Sequence, residues 1–298
     1  MTEIAMTEST KIQVQAPVVI MLLFMIAVQL LALAITPAIF ASGNRVFEDP
    51  TSTANPFFYL IIILGFTGLL LAAIRLKKGW IISGFILLSV AASIYYVLVA
   101  FMDPQLALVP TVAMLLLLRF YPEWYVIDLF GILVCAGISS LFGVSMTTLP
   151  ALLLLLVLAI YDAISVYKTR HMVSLAEGVI SIKAPLLFVV PKSRDYSFRQ
   201  DKVSISTSEG AKRGAYFLGL GDAIIPTILV ISADWSLPAA SAFGLNLPAL
   251  GAMAGTYLGF VALMTTSRDK PQAGLPFLDS GAILGFLAGC LAAGIRPF

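Results

Sequence analysis

Two aspartates stand alone inside long apolar segments of the chain. Asp162 lies within residues 150–167, and Asp222 lies within the next such segment, which starts after Arg213. A charged side chain inside a membrane is costly unless it is paired, hydrated or protonated, so it usually belongs to a working site. Two touching carboxyl groups share one proton there, and together they can activate a water and protonate a carbonyl oxygen. This is the chemistry of aspartic peptide-bond hydrolysis.

The distance of each aspartate from a basic residue indicates that the two can meet. Asp162 comes six residues before Lys168, and Asp222 comes nine residues after Arg213. At a helical rise of about 1.5 Å per residue, these separations correspond to roughly 9 and 14 Å. Because both basic borders flank the same hydrophilic loop, we predict that the carboxyl groups lie within about one helical turn of each other in height.

Other roles for the two acids remain open at this point. Each aspartate could simply hydrogen-bond to a neighbouring helix, or the pair could serve a cation channel or a proton-coupled transporter. Many transporters contain inverted repeats with matched broken segments, and we find no such repeat in the chain. Hydrolysis is therefore the preferred interpretation, and transport is the alternative.

Composition sets the class of protein. Of the 298 residues, 60% are hydrophobic and only 11% are charged, which is outside the range of soluble domains. The two cysteines lack a CxxC spacing and the chain has one histidine, so we expect no disulfide, no metal site and no cofactor. This composition predicts contact with the lipid bilayer. Since the basic residues are confined to particular loops and do not form a patch, we expect no nucleic-acid partner.

The apolar segments predict an all-α polytopic membrane protein with nine transmembrane helices. Residues 1–15 are predicted to be a disordered tail. Residues 1–167 are expected to contain helices one to six, residues 168–212 a cytoplasmic loop, and residues 213–298 helices seven to nine. The predicted spans are 17–41, 56–74, 80–101, 105–118, 124–144, 150–167, 214–233, 247–265 and 275–295.

Lysine and arginine residues predict the orientation. If the amino terminus is cytoplasmic, 16 of the 18 basic residues lie in cytoplasmic segments, and only Arg45 and Arg296 lie outside. Since cytoplasmic loops are enriched in these residues, we predict a cytoplasmic amino terminus and an outside carboxy terminus. The expected location is the cell (plasma) membrane, as a multi-pass protein.

Two motifs resemble those of the presenilin and signal peptide peptidase family of intramembrane aspartyl proteases. The first family motif, Tyr-Asp, matches Tyr161-Asp162. The second, Gly-x-Gly-Asp, matches Gly219-Leu220-Gly221-Asp222. Prepilin peptidases share the second motif but normally have fewer spans.

The third family motif, Pro-Ala-Leu, begins the ninth helix. Two places in the chain could correspond to it. A literal Pro248-Ala249-Leu250 begins span eight on the outer side, and we interpret it as a chance match. The family's position is occupied by Pro276-Phe277-Leu278, which follow Gly274-Leu275. Phenylalanine in place of a small residue departs from the family and affects how this loop packs against the aspartates.

The resemblance implies roles for individual residues and for partners. Asp162 and Asp222 would be catalytic, and the substrate-binding residues would be Tyr161, Gly219, Leu220, Gly221, Pro276, Phe277 and Leu278, with no metal. Substrates would be transmembrane proteins held as an extended strand, for which residues 203–206 are a candidate partner strand. The chain looks most like the prokaryotic, chiefly archaeal, homologues, which act without obligatory partner subunits. A homo-oligomer is left open.

Two further acids and a proline also lie in the predicted spans. Asp128 is expected to lie at the membrane interface or to contact a helix. Asp279 is expected to suit the amino end of span nine, where the helix dipole favours an acid. Pro226 is expected to kink span seven, four residues after Asp222.

Overall fold

Apolar segments of the chain form helices, because a helix satisfies its own backbone hydrogen bonds away from water. The structure, a computed structural model, describes residues 2–76, 79–168, 186–192, 196–198, 214–242, 244–266 and 272–297. Within these ranges the chain forms nine α-helices: α1 (Thr2–Ala41), α2 (Asn55–Arg75), α3 (Gly79–Val99), α4 (Pro104–Phe120), α5 (Trp124–Val144), α6 (Thr148–Ala163), α7 (Leu220–Ser236), α8 (Leu247–Thr266) and α9 (Leu275–Ala293). A π-helical turn, Ile164–Lys168, continues α6.

Six candidate spans occur in the described part of the chain, by length and composition. They are Pro17–Ala41, Asn55–Ala72, Trp124–Val144, Thr148–Lys168, Leu247–Thr266 and Leu275–Ala293. The apolar parts of α3 and α4, Ser83–Val99 and Pro104–Phe120, are shorter. The chain is therefore a mostly helical, multi-pass membrane protein, and a total of nine spans stays a prediction.

The first helix is longer than predicted. Residues 2–15 were expected to be a disordered tail, whereas α1 begins at Thr2. No glycine or proline occurs between Thr2 and Gln15. A helix that has formed over an apolar segment adds further residues more easily than it starts, so it can extend through such a sequence.

Four short strands correct the all-α prediction. Strand β1 (Leu187–Pro191) pairs antiparallel with β2 (Ala215–Gly219), and β3 (Ser241–Ala242) pairs with β4 (Leu245–Asn246). Strand β2 occupies residues that the sequence assigned to helical span seven. It contains two aromatic residues, which favour strands, and pairing with β1 satisfies its backbone groups without a helix. The predicted strand at residues 203–206 lies outside the described residues.

Helices α8 and α9 pack with their backbones in contact. Glycines recur every four residues on the facing sides, at Gly251, Gly255 and Gly259 of α8 and at Gly281, Gly285 and Gly289 of α9. A Cβ atom placed on Gly255 would overlap the carbonyl oxygen of Gly281. Small residues of this kind allow close helix packing in membranes, so this glycine seam holds the amino end of α9 in a fixed place.

Hydroxyl groups link α5 to the neighbouring helices. Ser140 Oγ donates to the carbonyl oxygen of Ala32 in α1 at 2.7 Å, and Ser139 Oγ donates to that of Ile224 in α7 at 3.3 Å. Side-chain hydrogen bonds between helices stabilise packing where lipid gives little hydrophobic driving force. Helix α5 therefore lies between α1 and the helix that carries Asp222.

Candidate active site

Asp162 lies in the last turn of α6, where the π-helical turn begins. Its side chain is 7% exposed. The backbone N–H of Leu275 donates to Asp162 Oδ2 at 3.2 Å, and the N–H of Gly274 also donates to this carboxyl group. Main-chain N–H groups at the start of α9 thus hold Asp162.

Asp222 lies in the first turn of α7, so the predicted helix between Arg213 and Asp222 is wrong. The sequence placed it nine helical residues from Arg213, but residues 215–219 of that stretch form β2. Gly219 caps the helix with extended angles (φ −63°, ψ 138°), and Asp222 accepts a hydrogen bond from the Gly219 N–H. An acid three residues after the cap suits both the free N–H groups and the helix dipole. Gly-x-Gly-Asp is therefore a helix start.

Pro226 affects the main chain of Asp222. It lies inside α7, which runs on to Ser236. Proline has no N–H, so the carbonyl oxygen of Asp222 lacks the donor that a helix normally provides four residues later. The first turn of α7 is therefore tied less firmly to the rest of the helix than an ordinary first turn.

The amino end of α9 brings the two aspartates together. Gly274, which donates to Asp162, also lies against Asp222: a Cβ atom at Gly274 would lie 2.8 Å from both Asp222 carboxyl oxygens. The charges of Asp162 and Asp222 interact electrostatically. Asp162 is buried, whereas Asp222 is partly exposed. By its exposed surface, Asp222 is therefore the more accessible of the two acids.

The remaining third-motif residues pack mainly against α8. Leu278 is 0% exposed, and a Cβ atom on Gly259 would overlap the Phe277 carbonyl oxygen. Pro276 and Phe277 also line a shallow apolar groove with Leu258. In the described part of the chain, the residues of this segment that contact the aspartates are Gly274 and Leu275.

The literal Pro248-Ala249-Leu250 lies at the other end of α9. Pro248 packs against Gly289, where an added Cβ would lie 2.7 Å from the Pro248 Cα. Gly289 follows Gly274 by fifteen residues, about 22 Å along a helix. This geometry is in line with the interpretation of Pro248-Ala249-Leu250 as a chance match.

The other predicted binding residues surround the first two motifs. Tyr161 Oη donates to Thr67 Oγ1 of α2 at 3.5 Å. Leu220 is buried, and its carbonyl oxygen accepts a hydrogen bond from Cys135 Sγ at 3.7 Å. Gly221 is exposed, and among the described residues no neighbouring atom lies within 4 Å of the position that its Cβ would take. Gly221 is thus the most open point beside Asp222.

Asp128 binds the hairpin that β1 and β2 form, and the sequence did not indicate this contact. It was expected at the membrane interface or against a helix, but it is 3% exposed and its Oδ1 accepts from the Val189 N–H of β1 at 2.7 Å. One turn further along α5, a Cβ on Gly131 would lie 3.0 Å from the Phe188 ring and 3.2 Å from Leu220. One face of α5 therefore positions β1 and the start of α7 together.

Sequence reasoning missed Gly274, Leu275 and strand β2 as parts of the site. Gly274 and Leu275 contribute backbone N–H groups, which every residue except proline has, so residue type gives little signal. The one indication in the sequence was the position of Gly274, directly before the start of α9. Asp279 was expected to suit the amino end of span nine; it is the fifth residue of α9 and is 0% exposed.

Comparison with known families identifies the class that the fold and the acidic site define. The family described as signal-peptide peptidase, presenilin aspartyl protease matches residues 21–295. The chain belongs to this family of intramembrane aspartyl proteases.

Solved structures agree with this assignment. A presenilin family intramembrane aspartate protease solved in space group C222 is 36% identical, with a TM-score of 0.67 over 93% of this chain and 100% of that one. A structure described in the same words in space group P2 is also 36% identical, with a TM-score of 0.64 over 92% and 97%. A comparison with curated proteins gave no match. The chain is thus an intramembrane-cleaving aspartic endopeptidase.

Proposed function

We propose that Asp162 and Asp222 are the catalytic pair and that they hydrolyse peptide bonds of single-span membrane proteins. The observation that carries this proposal is the convergence of both carboxyl groups on one segment, Gly274-Leu275, at the amino end of α9. Two acids from different helices that meet inside a chain of this family form the arrangement that general acid and base catalysis needs.

The proposed reaction requires only a water molecule and the two acids. The ionised carboxyl group takes a proton from water as the water oxygen bonds to the peptide carbon, and the protonated partner gives its proton to the carbonyl oxygen. The tetrahedral product then collapses, the C–N bond breaks and the nitrogen gains a proton. A new carboxyl end and a new amino end result, and the pair again carries one proton.

A substrate strand would add to the edge of β2 that faces away from β1, which has no partner strand among the described residues. At the two ends of the hairpin, the Leu220 N–H donates to the Leu186 carbonyl oxygen and the Lys192 N–H donates to that of Gly214. In an antiparallel pair, every second pair of opposite residues is hydrogen-bonded, so these two bonds set the pattern between them. By alternation, the N–H and C=O of Phe217 point away from β1. On the opposite side of the hairpin, Asp128 covers β1 at Val189. An unwound substrate beside Phe217 would therefore run towards Asp222.

The membrane setting is part of the proposal. The distribution of lysine and arginine supports a cytoplasmic amino terminus and an outside carboxy terminus, and the apolar segments of the sequence support nine spans. A plasma-membrane location is proposed with them. Action without obligatory partner subunits is supported only by resemblance to compact prokaryotic homologues. The channel or transporter alternative receives no support from family membership.

Cleavage of a defined substrate tests the proposal. The purified protein would be incubated in detergent with a single-span peptide, and the products identified by mass spectrometry. Asp162→Ala and Asp222→Ala should each lower the rate roughly 100- to 10,000-fold, the range expected for loss of a general acid or base. Asp103→Asn is a matched control, because Asp103 only caps α4 through the Gln105 N–H and asparagine caps equally well.

Two results would contradict the proposal. Substantial cleavage by either alanine variant would remove that aspartate from the chemistry. Ion flux through liposomes containing the wild-type protein, without cleavage of any single-span peptide, would instead favour the transport alternative.

A further inference from the structure

Tyr167 links the carboxy end of the α6 segment to the residues that lead into α9. Its hydroxyl group donates to Gln272 Oε1 at 2.6 Å and accepts from the Ala273 N–H at 3.4 Å. The next two residues along the chain are those whose N–H groups donate to Asp162. Four consecutive residues, 272–275, are therefore bonded to side chains at one end of one helix.

The π-helical turn after Asp162 explains how Tyr167 reaches the same segment. Side chains three or four residues apart share a face of an α-helix, but Tyr167 follows Asp162 by five residues. The turn Ile164–Lys168 is π-helical, with hydrogen bonds that span five residues, so it accommodates this longer spacing. Ser165 Oγ also donates to the Asp162 carbonyl oxygen at 2.9 Å, which ties the turn to the aspartate. Turns of this kind occur frequently at functional sites.

Gly274 needs support from both sides. It has no side chain to pack, and glycine has more backbone freedom than any other residue. On the α9 side, Leu278 is 0% exposed and fixes the first turn of the helix. On the other side, the two hydrogen bonds of Tyr167 hold the chain. A glycine held in this way keeps its N–H directed at Asp162 and its α-carbon against Asp222.

An exposed tyrosine at the end of a span can also be a simple interfacial anchor. Tyr167 is 53% exposed, and tyrosines are enriched where membrane meets water. An anchor needs only a ring in the interface and a polar tip in water. The Tyr167 hydroxyl group instead uses its donor and an acceptor position on the protein itself.

We propose that Tyr167 is a positioning residue of the protease, which acts through Gln272 and Ala273 to hold Gly274 between the two aspartates. The inference rests on the proposed function of that pair. Without the hydroxyl group, residues 272–274 gain freedom, and the two acids spend less time in the geometry that the reaction needs. The proposed substrate strand pairs with β2 and not with this segment, so the loss should appear in kcat more than in KM.

Cleavage kinetics of two single variants and their combination test this role. Tyr167→Phe keeps the ring and removes both hydrogen bonds, so kcat should fall roughly 3- to 10-fold, the net contribution of about one hydrogen bond. Gln272→Leu removes one of the two bonds and should cost less. Because the contact is already lost in Tyr167→Phe, adding Gln272→Leu to it should slow cleavage no further.

Two further variants are controls. Tyr125→Phe removes the hydroxyl group of another exposed tyrosine at a span end, which donates to the Tyr121 hydroxyl at 2.9 Å, and should leave kcat unchanged. Gln272→Glu keeps an acceptor oxygen for Tyr167, so its kcat should stay closer to the wild-type value than that of Gln272→Leu.

The outcomes separate positioning from anchoring and from a structural role. Thermal unfolding in detergent identifies the folded variants, and Gln272→Leu carries the test if Tyr167→Phe is unstable. Wild-type kcat in a folded variant would overturn the inference, as would a raised KM at unchanged kcat or single losses that multiply in the double variant. Unreduced cleavage by Asp162→Ala or Asp222→Ala would instead be a failure of the proposed function.

Discussion

Gly274 is the residue on which the arrangement of both aspartates depends. Its N–H donates to Asp162, and its α-carbon leaves room for the Asp222 carboxyl group. Any larger residue would have to displace one acid from the other. The site therefore requires a residue without a side chain at position 274 as well as the two acids.

We predict that Gly274→Ala inactivates the enzyme without unfolding it. The added methyl group would lie 2.8 Å from both Asp222 carboxyl oxygens, so the carboxyl group must move. A displacement of about 1 Å from a productive geometry can lower a rate about 100-fold. We expect kcat to fall by about that factor, measured as initial cleavage rate at saturating substrate.

Gly68→Ala is the control for this prediction. Gly68 lies on an exposed face of α2, and no neighbouring atom of the described residues lies within 4 Å of its added methyl group, so activity should not change. Wild-type kcat in folded Gly274→Ala would show that the contact with Asp222 does not limit catalysis.

At the scale of elements, the β1–β2 hairpin depends on a single acid of α5. Asp128→Leu would leave the buried Val189 N–H without its acceptor, at a cost of about 1–3 kcal/mol in the free energy of unfolding. Asp128→Asn keeps an acceptor oxygen and should lose much less. Thermal unfolding of the two variants in detergent measures the difference.

The same pair of variants also tests the role of the hairpin in substrate binding. Asp128→Leu should raise KM more than it lowers kcat, because the hairpin would supply the edge beside Asp222. Equal stability and equal KM in the two variants would contradict both the contact and its role.

The glycine seam between α8 and α9 makes a second prediction about elements. Gly255→Ala would force the helices apart at Gly281, and overpacking of this kind typically costs about 1–3 kcal/mol. Gly84→Ala, on an exposed face of α3, should be neutral, because within the part of the chain that the structure describes no neighbouring atom lies within 4 Å of the added methyl group. Similar melting temperatures for the two variants would contradict the close contact of the seam.

The sequence predicted the helices well because each is a long apolar run between polar loops. The bounds of α5 agree to the residue, and α8 differs by one residue at its end. Strand β2 was missed because the run Ala215–Gly219 is apolar and continuous with span seven. Hydropathy alone does not separate a short buried strand from the first turns of a helix.

The candidate site could be predicted only where side chains carry the chemistry. Asp162 and Asp222 stand out as isolated acids in apolar segments. The contributions of Gly274 and Asp128 depend on which segments meet in three dimensions, and neither residue type nor spacing contains that information.

At the scale of the whole molecule, the distribution of lysine and arginine predicts the orientation of the chain in the membrane. We predict that a membrane-impermeant maleimide labels Thr53→Cys from outside intact cells and labels Ser208→Cys only after lysis. The native Cys135 and Cys290 are buried, at 0% and 1% exposure, and should contribute little background. Labelling of Ser208→Cys from outside would reverse the orientation that lysine and arginine residues predict.

Dependence of each aspartate on the other is the central claim, and a double-variant comparison measures it most directly. Cleavage rates would be compared for Asp162→Asn, Asp222→Asn and the variant that carries both changes. Residues that act as one unit give losses that do not multiply, so the double variant should be no slower than the slower single variant. A rate loss equal to the product of the two single losses would show that the aspartates act independently, which would contradict the proposed pair.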